Sequence, residues 1–226
     1  PDEGECLVAA GGAVYLNMGT LLPIYRETLP RTAAAAFKSG KPWVLDPVGI
    51  GIGQLRTDLL QELKQYKPAI VRGNASEIIA LASLWDIEAN ACESSRPRGV
   101  DTTDTVEAAR DAAVALARYT GGAVAVSGRK DLVTDGEKVV YSEGGSELME
   151  KVTGFGCSQG GVLAVYTTAT NPFTAALAAV AHYNVAGSRA AKVADAPASF
   201  KTAFIDELYR ATARDIADNS FSVEEA

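Results

Sequence analysis

Strand-like and helix-like stretches alternate through the first half of the chain, and this rhythm restricts the fold more than any other feature. Short apolar runs at Ala13–Asn17, Trp43–Asp46, Ala69–Arg72 and Ala123–Ser127 are separated by helical patterns at Ile24–Phe37, Leu55–Tyr66, Ala75–Leu84 and Asp104–Tyr119. A helix between two strands returns the chain to its starting edge, so the strands pair in parallel. The runs are apolar at successive positions, as strands covered by helices on both faces require. Farther on, Leu132–Thr134 and Lys138–Tyr141 flank Asp135-Gly136, a strong hairpin signal. Helices are expected over Gly156–Thr168, Phe173–Ala190 and Thr202–Ala217, a polar loop over Asn90–Gly99, and a frayed tail at Glu224–Ala226. Residues 1–12 are acidic and glycine-rich and lead into the first strand without an element signal of their own.

Composition narrows the function. At 226 residues, 47% hydrophobic and 22% charged, the chain suits a single α/β domain with a sizeable core. A net charge of −7 gives no long-range attraction to nucleic acid or an anionic membrane, so neither is expected as a partner. Cys6, Cys92 and Cys157 are too few and too scattered for a disulfide framework or a CxxC metal pair, which fits a reducing cytoplasm. No apolar run approaches the length of a membrane span.

Ligands of open α/β sheets bind beyond the carboxyl ends of the strands, and three segments lie at such ends. Asp46 leaves its strand into the glycine-rich loop Pro47–Gly53; a carboxylate there suits a hydrated Mg²⁺, and equally an Asx turn. Arg72 leaves the next strand ahead of Asn74-Ala-Ser-Glu77, whose spacing serves either a helix capping box or a metal–phosphate site. Third, Thr153-Gly-Phe-Gly-Cys-Ser-Gln-Gly-Gly161 opens onto a helix. Gly154 and Gly156 allow backbone to approach a ligand, and the free amides of a helix N-terminus attract anions. Cys157 at that mouth is placed to meet an attacking hydroxyl, or is a small buried apolar residue. Ser127, ending a strand before Gly128, is a phosphate donor or a turn residue. The only histidine, His182, sits in an Ala-rich helix and reads as structural, which leaves no zinc site and no Ser-His-Asp set.

The ordered set VLDPVGIG, VRGNASEI, RGVDTTD and VTGFGC, with LNMGTL at Leu16–Leu21 and the Ser127–Gly136 stretch, resembles the hydroxyethylthiazole kinases. The resemblance covers nearly the whole chain. It implies a ribokinase-like three-layer sandwich, with a mostly parallel central sheet, helices on both faces and a C-terminal β-hairpin. The activity it implies is ATP-dependent phosphorylation of 4-methyl-5-(2-hydroxyethyl)thiazole in thiamine salvage, by a homotrimer with active sites between subunits. Arg72 then matches the ATP-contacting arginine and Ser127 a nucleotide contact. Asp46 and Glu77 match the acids that organise Mg²⁺ and phosphate. Gly154 matches a substrate-contacting glycine, and the amides around Gly154 to Cys157, Gly156 among them, are expected to stabilise the transferring group. Cys157 occupies the position of the general base. Two departures are expected to matter. Phe155 replaces the threonine of a common Gly-Thr-Gly, putting a ring near the phosphate path, and the family's N-terminal pocket segment has no counterpart in residues 1–226. These departures motivate a catalytically impaired binding homologue as an alternative. An ATP-dependent dehydratase of hydrated nicotinamide nucleotides would favour aspartate at position 157.

Overall fold

The computed structural model describes residues 3–87 and 105–226, and the alternating pattern becomes one seven-stranded sheet between two helical layers. In chain order the elements are α1 (Glu3–Ala10), β1 (Val14–Asn17), α2 (Tyr25–Lys38), β2 (Trp43–Asp46), α3 (Gln54–Leu63), β3 (Ile70–Asn74), α4 (Ala75–Leu84) and α5 (Arg110–Thr120). Then follow β4 (Ala123–Ser127), β5 (Asp131–Thr134), β6 (Lys138–Ser142), α6 (Phe155–Tyr166), α7 (Pro172–Ala190), α8 (Pro197–Arg210), α9 (Ala213–Ala217) and β7 (Phe221–Glu225). The strands lie in sequence order, β1 to β7. Pairing is parallel from β1 through β4 and antiparallel from there on.

Because successive strand residues point to opposite faces, each strand divides between two cores. Leu16, Trp43, Leu45, Val71, Val124 and Val126 pack with helices α2 to α5. Val44, Ile70, Ala123, Ala125 and Val133 pack beneath α6 and α7. A third cluster joins Phe155, Tyr183, Phe200 and Phe204 where α6, α7 and α8 meet. No helix among the described residues is long and apolar enough to cross a membrane.

Four expectations change. Residues 3–10 form a helix, because tertiary partners supply what composition lacks. Arg31 donates to Glu5 Oε1 at 3.3 Å, and Lys41 Nζ donates to the carbonyls of Ala9 and Gly11 at 2.8 and 2.6 Å, placing a cation at the helix C-terminus. The helix expected to begin at Asp104 starts at Arg110; residue 104 lies outside the described residues, and Thr105 Oγ1 accepts from the Ala108 amide in a turn. The helix expected over Thr202–Ala217 is two helices. Thr212 takes an extended conformation and forms a reciprocal capping box with Asp215. Finally, the tail at Glu224–Glu225 belongs to β7, where Val223 faces Val140 and covers an otherwise open sheet edge. The Asn90–Gly99 loop, Cys92 and the RGVDTTD motif lie outside the described residues.

Candidate active site

Strand pleat and register assemble the site. Asn17, Asp46, Arg72 and Ser127 share the parity of Tyr15, Val44, Ile70 and Ala125, so they emerge on the face covered by α6 and α7. Register sets Asn17 beside Asp46, and Asn74 beside Ser127. At these strand ends, charge replaces the apolar packing found one layer lower.

Arg72 lies at the centre and is buried. Its Nη1 is 3.5 Å from Asp46 Oδ2, its Nη2 donates to Ser127 Oγ at 2.8 Å, and its Nε donates to Gln159 Oε1 at 3.3 Å. A planar fork gripped from three directions has little freedom left. Ser127 donates in turn to Gly73 O at 3.4 Å.

Helix α6 is laid directly over this fork. Its entry residue Gly154 has φ +93°, which side-chain-bearing residues rarely adopt. Gly156 and Gly160, one helical turn apart, face the sheet. A Cβ on Gly156 would stand 2.6 Å from Arg72 Nη2, and one on Gly160 would collide with the Tyr15 ring. Glycine at both positions therefore brings the helix backbone onto the charged strand ends. Among the described residues, the amides of Gly156 and Cys157 meet no acceptor, whereas the Ser158 amide closes the first turn on Gly154 O at 2.8 Å. Two free amides, the positive end of a 12-residue helix and a guanidinium beneath them make a cradle for an anion.

Asp46 balances the cation, with its two oxygens treated unequally. Tyr15 OH donates to Oδ2 at 2.8 Å, Asn17 Nδ2 donates to the same oxygen at 3.0 Å, and Arg72 faces it as well. Oδ1 is buried and has no partner among the described residues. Burial raises the Asp46 pKa, with Arg72, Tyr15 and Asn17 acting against the rise. Burial also raises the Tyr15 pKa, and the neighbouring Asp46 charge reinforces it, so the phenol stays a proton donor. Cys157, partly exposed and free, lies close enough to add to that effect.

Glu77 adopts the capping role that its spacing allowed. Its Oε2 accepts from the Asn74 amide at 2.9 Å, and Asn74 Oδ1 accepts from the Glu77 amide at 2.9 Å. Oε1 accepts from the Gly49 amide at 3.3 Å, tying the loop after β2 to α4. Burial raises the Glu77 pKa, these amides oppose the rise, and the nearby Asp46 charge adds to it. The two acids are thus neighbours; among the described residues no group of three or more His, Cys, Asp or Glu gathers as a metal cluster.

Phe155 departs from expectation. Its ring turns away from the phosphate path into the third core cluster, 5.8 Å from Phe200 and 4.6 Å from Phe204 between centroids. Apolar partners on α8 outcompete the polar mouth for an aromatic side chain. His182 is structural as expected: Tyr166 OH meets its Nδ1 at 3.0 Å, and its Nε2 meets the carbonyl of Leu208 at 2.8 Å. Tyr15 carried no sequence signal beyond a polar group inside an apolar run, and Gln159 none beyond its place in the glycine-rich segment. Asn17 lay within LNMGTL, but only register reveals its partner.

The chain matches the model of the hydroxyethylthiazole kinase family over residues 1–214. It is 45% identical over 241 residues to the hydroxyethylthiazole kinase of Bifidobacterium longum strain DJO10A, covering 99% of this chain and 77% of that protein. Against the hydroxyethylthiazole kinase of Corynebacterium glutamicum strain R, identity is 41% over 222 residues, covering 96% and 80%. The solved hydroxyethylthiazole kinase protein of Pyrococcus horikoshii OT3 superposes with a TM-score of 0.84 at 30% identity, over 100% of this chain and 81% of that one. The pyridoxal kinase of Staphylococcus aureus, solved with AMP-PCP and pyridoxal, shares the fold at TM-score 0.62 and 18% identity, over 100% and 77%. By the family model, these relatives and the ribokinase-like architecture together, the chain belongs to the hydroxyethylthiazole kinase family.

Proposed function

We propose that this protein transfers the γ-phosphoryl group of ATP to the hydroxyl of 4-methyl-5-(2-hydroxyethyl)thiazole, a step of thiamine salvage, from a single kinase domain over residues 1–226. The observation that carries the reading is the cradle at Gly154–Cys157, with the Arg72 guanidinium directly beneath Gly156. Phosphoryl transfer asks a protein mainly for positioning and for charge opposite the equatorial oxygens. The free amides of Gly156 and Cys157 offer both. Arg72, held by Asp46, Ser127 and Gln159, is already oriented when nucleotide arrives. Ser127 supports the nucleotide through Arg72, and Gly154 opens the turn toward the thiazole.

In the reaction the alcohol oxygen bonds to the γ-phosphorus, the bond to the β,γ-bridging oxygen breaks, and ADP leaves. Cys157, as the general base, accepts the alcohol proton. The donor chemistry fits Mg²⁺: Asp46 contributes a buried oxygen without a partner among the described residues, and Glu77 lies beside it with lone pairs beyond those used by amides. Asp46 and Glu77 would hold Mg²⁺ there, and the ion would supply positive charge to offset that of the phosphates.

Exposed Leu22, Ile24 and Ile52 in the loops after β1 and β2 are apolar surface that association between copies would cover, and that association is, on this reading, a homotrimer with sites between subunits. The free thiols of Cys6 and Cys157 support a cytoplasmic setting. The deciding experiment is a coupled ADP-release assay with hydroxyethylthiazole, run with sedimentation equilibrium. Thiazole-dependent, Mg²⁺-dependent turnover by a trimer is expected. Ligand-dependent thermal stabilisation without turnover would overturn the kinase assignment.

A further inference from the structure

Tyr15 is a phenol between apolar neighbours in β1, and phosphoryl transfer makes no use of it. Its ring is clamped, since Gly160 of α6 rests against it so closely that any Cβ there would collide with it. Its hydroxyl therefore has one place to go. It donates to Asp46 Oδ2 at 2.8 Å and accepts from Asn17 Nδ2 at 2.7 Å, while Asn17 Nδ2 also reaches Asp46 Oδ2 at 3.0 Å. Arg72 Nη1 stands 3.5 Å from the same oxygen. Three groups converge on one carboxylate oxygen, and the other, equally buried, has none among the described residues.

A buried anionic oxygen left bare is costly, and buried polar atoms are normally paired. A carboxylate free to turn would share its donors between both oxygens. The clamp prevents that sharing. We propose that Tyr15 is a positioning residue that, with Asn17, pins Asp46 Oδ2 so that Oδ1 is held in reserve for the divalent cation of a metal–nucleotide. This inference rests on the kinase reading above only in taking the cation to arrive with a nucleotide.

The test is Tyr15→Phe, which keeps the ring against Gly160 and removes the hydroxyl alone. Mn²⁺ binding in the presence of β,γ-methylene ATP is followed by electron paramagnetic resonance, with thermal shifts measured in parallel. Loss of a hydrogen bond to a charged group should weaken Mn²⁺ binding by about tenfold or more. The thermal shift from metal–nucleotide should shrink, nucleotide binding in EDTA should not change, and in turnover the Mg²⁺ half-saturation should rise while KM for the thiazole alcohol holds. A purely structural role would lower the melting temperature and leave metal affinity intact. If Tyr15→Phe does not fold, Asn17→Ala removes the group that donates to both partners, and the same loss of Mn²⁺ affinity is expected. Wild-type Mn²⁺ binding in the folded variant, no Mn²⁺ binding by the wild type, or an Asp46→Asn variant that binds Mn²⁺ normally would overturn the inference. A wild type that binds Mn²⁺–nucleotide but phosphorylates no thiazole would sink the substrate assignment alone and leave the role of Tyr15 standing.

Discussion

Replacing Asp131 by asparagine should remove a specific pH dependence of stability. Asp131 begins β5 and is buried; its Oδ1 accepts from the Gly128 amide at 3.0 Å, and its Oδ2 accepts from Asn184 Nδ2 at 3.0 Å. Burial pushes its pKa up from 3.8 to about 6, against the pull of these donors and of Arg72. The folded state therefore holds the proton more tightly than the unfolded chain. Below the unfolded value both states are protonated and the contribution is fully present. As pH rises from about 4 to about 6 the unfolded chain ionises first, stability falls, and above the folded value the loss is complete. A rise from 3.8 to about 6, at 1.36 kcal/mol per unit, makes the loss about 3 kcal/mol. Asparagine mimics the protonated acid, since its carbonyl can keep the Gly128 bond. If Asn184 turns its amide over, Ser142, now 3.1 Å from Asn184 Nδ2, can reverse the sense of its own bond. Asp46 and Glu77 titrate in the same direction in both proteins, so the informative quantity is the difference between wild type and Asp131→Asn. Urea unfolding at intervals from pH 3 to 7.5 should show the two diverging by about 3 kcal/mol. Curves that stay parallel across that range would refute the reasoning.

Gly156→Ala should depress turnover by about tenfold or more, out of proportion to a loss of stability of about 1–3 kcal/mol from overpacking. Alanine favours the helix by about 1 kcal/mol, but its Cβ would stand 2.6 Å from Arg72 Nη2, so steady-state kinetics with ATP should separate from the melting temperature. Cys157→Ser should lower kcat about a hundredfold without changing nucleotide affinity, the scale expected of a lost general base; Cys157→Asp should restore much of that loss, and equal rates for wild type and serine variant would exclude the role. Phe155→Thr should destabilise by about 3 kcal/mol, as large-to-small changes in a core do, while activity per folded molecule stays level. A gain in kcat from Phe155→Thr would mean that the ring obstructs the site after all.

The strands and their parallel pairing were legible because hydrophobic periodicity is a local property. Trp43–Asp46, Ala75–Leu84 and Ala123–Ser127 have the same bounds in structure and sequence. The elements that escaped notice depend on partners far along the chain. Helix α1 needs Arg31 and Lys41, and β7 needs the open edge of β6. The site divides in the same way. Asp46, Arg72, Ser127 and the glycine turn could be picked out because strand ends and helix starts leave sequence marks. That Arg72 binds Gln159, 87 positions away, or that Tyr15 and Asn17 converge on one oxygen of Asp46, follows only from register and from a helix lying close to a sheet. Phe155 shows the complementary failure. Its neighbours in sequence placed it at the mouth, but a side chain's direction is decided by what it can bury, and Phe200 and Phe204 lie some 45 residues downstream.

The arrangement of charge is hard to explain as a device for stability. A buried ion pair loses most of its Coulombic gain to desolvation, and an apolar pair of equal volume often does as well. Here the cost is higher still, because among the described residues one oxygen of Asp46 is buried without a partner and Glu77 is buried nearby with a like charge. Both acids are consequently held with raised affinity for protons. A divalent cation would reverse that penalty for both carboxylates at once, and the phosphates bound with it would engage the amides and guanidinium that the same strand ends hold in place. Each half of the ligand thus relieves a different part of the site. On the proposed reading, a metal would offset the repulsion between Asp46 and Glu77, and phosphates would satisfy the cradle above Arg72. That division predicts cooperative binding: metal and nucleotide should each bind weakly alone and tightly together, because only the pair leaves no buried charge unanswered.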